Sequence, residues 1–258
     1  MVRQKIDRTG EEGVNNFGSK MIIVRYRRND DVDIYFPEYN WTAKNTTYDN
    51  FKRGEIKCPY EPRVYGKGYI GEGKYKAGEN GKMTKYYNTW HSMLRRCYDS
   101  KSQEKHPTYK GCYVEYHFHN FQNMGEWLDE NYYEVSGEKM ALDKDILKHG
   151  NKVYSRDTCL IVPERINSLF TYKQKKVVNH NLPHGITPNG NVYKVRCYDG
   201  NNKRIYLGAY KTIEEAFDAY KEFRESVIKQ VAYEYYSKGL IPKKVYDALY
   251  NYKVLITD

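Results

Sequence analysis

The chain has no long uninterrupted apolar run, and its mean hydropathy is −0.92. A membrane-spanning helix, which needs roughly 20 consecutive apolar residues, is therefore not expected. The opening residues MVRQKIDRTGEEG lack the apolar stretch of a secretory signal, so a cytosolic, cytoplasmic home is the expectation. Cysteine is sparse, with five residues (Cys58, Cys97, Cys112, Cys159 and Cys197) and no C-x-x-C pair. That odd, scattered set supports neither a disulfide framework nor a zinc knuckle, and it reads as reduced, mostly buried small apolar residues. Glycines at 66, 68, 71, 73, 78 and 81 are not followed by Gly-Lys-Ser/Thr, so they do not form a phosphate-cradling P-loop.

What is abundant is positive charge and tyrosine. Forty-three Lys and Arg against 33 Asp and Glu give +10, and a basic balance of this size favours a polyanionic partner such as nucleic acid. The 29 tyrosines combine an apolar ring with a hydroxyl, suiting small cores or contact with phosphates and bases. A length of 258 residues fits two or three small modules better than one large core.

Three textures follow along the chain. Residues 18–69 alternate apolar and polar letters, as in KMIIVRYRRNDDVDIYF, predicting a small antiparallel β-module over residues 1–70. RYRRNDD would be its first turn and DNFKRGEIKCPY a later strand; Arg25 and Arg27 are candidate phosphate contacts. A Gly-rich connector at 71–82 leads to TKYYNTWHSMLRRCY and HNFQNMGEWLDENYY, two amphipathic helices by their three- and four-residue apolar spacing. Arg95 and Arg96 flank the first. YHFH between them places His117 and His119 on one strand face by alternation. After a Lys-rich linker at 173–182, GITPNGNVYKVRCYDGNNKRIYLGAY gives three strands with PNGN and DGNN hairpin turns. A long helix follows, opened by Thr212 with Glu215 as a capping box, and IPKKVYDALYNY adds a short one. Composition and order together give an α+β, multi-module class.

The stretch ALDKDILKHGNKVYSRDTCLIVPERINSLF, from Ala141 to Phe170, resembles the ββα-metal hairpin and helix of HNH nucleases. It is also similar to phage-encoded HNH-like proteins that share the phrases LDKDIL, GNKVYS and the C-x-IVP-x-x-IN pattern. The resemblance implies a domain over 83–172 in which Asp143 and Asn167 hold Mg²⁺ or Mn²⁺, with Asp145 able to rearrange the site. Such an ion polarises the scissile phosphate while a histidine deprotonates water. Here Lys144 stands where that histidine is expected. An exposed lysine is protonated near neutral pH, so it would contact phosphate, leaving His149 in the turn as the candidate base.

The C-terminal residues 183–258 resemble an AP2 domain over Leu207, Gly208, Tyr210, Thr212, Glu214, Glu215, Ala216, Ala219 and Tyr220. Alternation sends Tyr193, Val195, Cys197, Ile205 and Leu207 inward, leaving Lys194, Arg196, Tyr198, Arg204 and Tyr206 outward. Such a face can enter a major groove. Two functions are expected from this reading. One is a metal-dependent, site-specific endonuclease of nickase or homing type acting on double-stranded DNA in the cytosol of a bacterial host. The other is a DNA-binding regulator or anti-defence factor that keeps the nuclease fold without cutting.

Overall fold

The computed structural model of the protein describes residues 6–170 and 182–256. It is of mixed α+β class, 35% helical and 26% strand, with several small sheets. Strands β1 (Glu12–Val14), β2 (Lys20–Arg28), β3 (Asp31–Phe36) and β4 (Trp41–Thr46) form a four-stranded sheet in sequence order. Alternation buries Met21, Ile23, Ile34, Phe36 and Ala43 on one face, where Ile34 sits opposite both Ile23 and Ala43. DNFKRGEIKCPY is not a strand. Thr47 accepts a hydrogen bond from the Asn50 amide and starts a short helix, α1 (Tyr48–Lys52), whose Phe51, with Ile56 and Cys58 from the chain beyond it, closes the inner face of the sheet.

The glycine-rich segment is also not a free connector. A Cβ on Gly68 would meet Leu94 and Trp90 at 2.4 and 2.7 Å, so only glycine lets this backbone lie against the helix beneath it. Gln122 donates to the carbonyls of Ile70 and Tyr75 and accepts from the Tyr75 amide. The Asp129 carboxylate accepts from Lys74 and from the hydroxyls of Tyr75 and Tyr86, which holds it far below the usual range, at about 2. Within the segment, β5 (Gly78–Glu79) and β6 (Lys82–Met83) make a small hairpin.

Thr84 caps α2 (Lys85–Tyr98), whose Trp90, Met93, Leu94 and Cys97 are buried as their spacing predicts. Then come α3 (Ser100–Lys105), β7 (Tyr113–Val114) and α4 (Phe121–Asn131). YHFH is a 3-10 turn rather than a strand, closed by the Phe118 amide on Glu115 O. The turn buries Phe118, whose carbonyl accepts from the Trp90 indole. His117 and His119 therefore do not share a strand face.

Beyond α4, β8 (Met140–Asp143) pairs antiparallel with β10 (Leu160–Pro163), while the intervening β9 (Val153–Tyr154) runs parallel to β7. Helix α5 (Glu164–Ser168) packs on β8 and β10. Strands β11 (Ile186–Asn189), β12 (Val192–Tyr198) and β13 (Arg204–Tyr210) form the last sheet, backed by α6 (Ile213–Ser237) and followed by α7 (Lys243–Tyr250). The Thr212–Glu215 capping box at the start of α6 is present in both directions.

Contacts divide the chain into two compact units. One runs up to Glu130 and includes Val153–Ser155; the other holds Asn131–Lys152 and the chain from Arg156 onward. In the second unit Leu160, Val162, Ile166 and Leu169 belong to the same core as Ile186, Val195, Tyr220 and Ile228. The hairpin with α5 and the last sheet with α6 thus share one apolar interior. The expected linker at 173–182 lies, apart from Leu182, outside the described residues.

Candidate functional site

Asp143 ends β8 opposite Leu160 and is buried. Its Oδ1 accepts the backbone amides of Asp145 and Ile146, both at 2.8 Å, so the carboxylate caps the turn that follows. Burial pushes its pKa above the usual carboxylate range, against those two amide bonds. Lys144, expected to be exposed, is buried as well. Its ammonium donates to Asp145 Oδ1 and Oδ2 at 2.7 and 2.8 Å and to Asn151 O at 2.7 Å. Asn151 answers with a bond from Nδ2 to the Lys144 carbonyl at 2.8 Å. An ammonium has three donors, and Asp145 and Asn151 offer acceptors to this one, so within the fold Lys144 serves the turn.

His149 is exposed and points to Tyr252, with Nδ1 2.9 Å from the hydroxyl. Asn167 lies half-buried in α5, and its backbone carbonyl accepts from Leu169 and Phe170. A magnesium ion wants ionised carboxylate oxygens, near-octahedral geometry and several of its own waters. Here Lys144 holds both oxygens of Asp145, and Asp143 Oδ1 is spent on two backbone amides. These residues do not fit Mg²⁺ or Mn²⁺ as they stand. Among the described residues no three His, Cys, Asp or Glu side chains gather as a metal-holding set.

The residues expected to meet DNA fall into two groups. On the last sheet, Arg196 sits directly across from Tyr206, and Tyr198 across from Arg204. A bulge at Val195/Arg196 keeps Ala209, Tyr206 and Arg204 on the exposed side although they are unevenly spaced. Tyr198 and Tyr206 are 51% and 54% exposed, while Val195 and Cys197 on the other side are buried. Lys194, Arg196 and Arg204 take part in no ion pair among the described residues. The result is a checkerboard of arginine and tyrosine with Lys194 beside it.

Other cations are spent inside the fold. Arg27 donates to Asp31 and to both oxygens of Asp33, which raises its pKa and holds both carboxyls below their usual range. Arg25 is exposed but faces Asp33 across the strands. Arg96 is half-buried, with its guanidinium 5.6 Å from the Tyr109 ring centre, whereas Arg95 is exposed.

Sequence reasoning missed two members of this arrangement. Asn151 is the polar partner that makes room for the buried lysine, and its signal is faint, a single Asn after Gly150. Arg224 is buried and donates to Leu169 O at the end of α5, tying that helix to α6. Its place among Tyr220, Val227, Ile228 and Val231 on one helix face was the available signal, since an arginine inside an apolar stripe must find a buried acceptor. In comparison with known proteins, no family model matches the chain, and no curated protein or solved structure matches it significantly.

Proposed function

We propose that this chain is a double-stranded DNA-binding protein whose contact surface is the outer face of β11–β13, and that the β8–β10 hairpin with α5 is a structural, non-cutting element. The observation that carries this reading is the set of outward cations Lys194, Arg196 and Arg204, without ion pairs among the described residues and alternating with exposed Tyr198 and Tyr206. A two- or three-stranded face of this width can lie in a major groove, where arginine pairs with guanine edges and tyrosine and lysine anchor phosphates. The whole-chain charge of +10 adds a sequence-independent attraction that salt will screen.

The test is selection of a binding site from randomised duplexes, followed by titration of the selected site. Arg196→Ala combined with Arg204→Ala is expected to lower affinity by about a hundredfold, each guanine contact being worth about 1–3 kcal/mol. An unchanged footprint and affinity would remove the sheet from the interface.

A second reading, a metal-dependent HNH-like endonuclease, is favoured by the retention of Asp143 and Asn167 on elements that pack together. It requires nicking of supercoiled DNA with Mg²⁺ or Mn²⁺, abolished by EDTA and by Asp143→Ala. The proposal of a non-cutting protein expects retardation without nicking in every one of those conditions.

A further inference from the structure

At the tip of the first unit's glycine-rich segment, Val64 and Gly68 exchange both backbone hydrogen bonds, at 2.9 and 2.8 Å, and close a three-residue hairpin. Its base is fixed because Gly68 lies against Trp90 and Leu94, while a Cβ on Gly66 would meet nothing. Tyr65 occupies the tip with φ of 52°. The left-handed region is costly for a bulky side chain, so some feature of the fold holds the ring where it is. That feature is a column of rings. Phe121, in the core, meets Tyr87 edge-on at 5.7 Å; Tyr87 stacks on His91 at 5.6 Å and 29°; His91 meets Tyr65 at 5.2 Å. The column runs from the buried interior to a half-buried ring at the surface, and among the described residues no further ring or cation covers Tyr65.

Two cations flank this end. Lys67 lies two residues after Tyr65 in the hairpin, and Arg95, one helical turn beyond His91, acts electrostatically on both Tyr65 and His91, while Asp99 at the end of α2 acts on Tyr65 with the opposite sign. Both are exposed, and neither has an ion pair among the described residues. Burial and then Arg95 hold His91 below the usual imidazole range, so the middle of the column stays a neutral ring near pH 7.

A surface ring with two exposed cations nearby, neither in an ion pair among the described residues, matches the alternation of base and phosphate along a single strand, where stacking supplies a sequence-tolerant hold and cations track the backbone. The interior bases of a duplex would not offer a face to such a ring, because they are already stacked on their neighbours. We infer that Tyr65, flanked by Lys67 and Arg95, is a second nucleic-acid contact in which an unpaired base stacks on the ring and its neighbouring phosphates meet the two cations. This shares with the reading above only the premise of a nucleic-acid partner, and it uses none of the residues of β11–β13.

The test is fluorescence anisotropy of the full chain with fluorescein-labelled oligo(dT) and, separately, with a labelled duplex. Tyr65→Asn removes the ring at a left-handed backbone position that asparagine tolerates. It is expected to weaken oligo(dT) binding about tenfold and to leave duplex binding unchanged. Tyr65→Phe is expected to bind oligo(dT) like the unaltered protein, because stacking does not need the hydroxyl. Lys67→Glu with Arg95→Glu is expected to match or exceed the loss seen for Tyr65→Asn. The proposal is overturned if the unaltered protein does not bind oligo(dT), or if Tyr65→Asn binds it unchanged. It is equally overturned if oligo(dT) binding is lost only in Arg196→Ala with Arg204→Ala. Failure of the sheet proposal shows separately, as duplex binding indifferent to those two arginines.

Discussion

The first sheet and the last sheet both carry arginines on an outward strand face, yet they treat them in opposite ways. On β2, Arg27 is gripped by Asp31 and Asp33 from β3, and Arg25 looks across at Asp33. On β12 and β13, the residues across from Arg196 and Arg204 are tyrosines, which cannot neutralise them. The first arrangement knits two strands together and spends its charge locally. The second leaves its charge unpaired among the described residues, which is what the proposed DNA contact needs, since a phosphate must find a cation that no carboxylate already holds. Lys144 belongs with the first kind, closed by Asp145 and Asn151. Being basic on a sheet face is thus insufficient evidence of nucleic-acid contact; the cross-strand neighbour decides.

The sharpest way to break this comparison is to give the last sheet the chemistry of the first. Tyr198→Asp with Tyr206→Asp places carboxylates across from Arg204 and Arg196, and duplex affinity is expected to fall by at least about a hundredfold, with a shallower dependence on salt. Retained affinity at every salt concentration would show that these arginines do not face DNA.

A smaller effect should separate Lys144 from the open cations. Lys144→Met leaves the Asn151 carbonyl without its donor, and denaturant unfolding is expected to register a loss of about 2 kcal/mol, with duplex affinity of the folded protein intact. The opposite result, normal stability with weakened DNA binding, would move Lys144 to the interface.

The smallest effect concerns Arg27. Asp33→Asn is expected to cost about 1 kcal/mol near neutral pH. Because the folded pKa values of Asp31 and Asp33 are lowered by Arg27, their contribution is complete above about pH 4, the ordinary aspartate value, and is lost as pH falls through the folded values. The cost of Asp33→Asn should therefore shrink on acidification below about pH 4. A cost that stays constant down to acid would mean that the ion pair adds nothing.

Legibility followed the range of the forces involved. Helices α2, α4 and α6 were readable because their apolar spacing and, for α6, the Thr212–Glu215 box are local signals, and the PNGN and DGNN turns fixed the last sheet for the same reason. Helix α1 and the 3-10 turn at Tyr116–His119 were not readable. Each is a few residues long, and each owes its shape to burial of one aromatic, Phe51 or Phe118, against residues distant in sequence. The glycine-rich segment read as a connector because its composition is that of one. What composition could not convey is that Gly68 is small for the sake of Trp90 and Leu94.

By itself, the sequence determined the α+β class, the surplus of positive charge, and the alternation that points Arg196 and Arg204 away from the core. Each of these depends only on residue type and a local period of two or three to four. The tertiary structure decided which cations remain available. Arg27, Lys144 and Arg224 are as basic as Arg196 in the sequence, but folding brings carboxylates or carbonyls against them across a strand or a turn, or, for Arg224, from a distant helix end. Electrostatic pairing acts through space, so only the folded chain settles it.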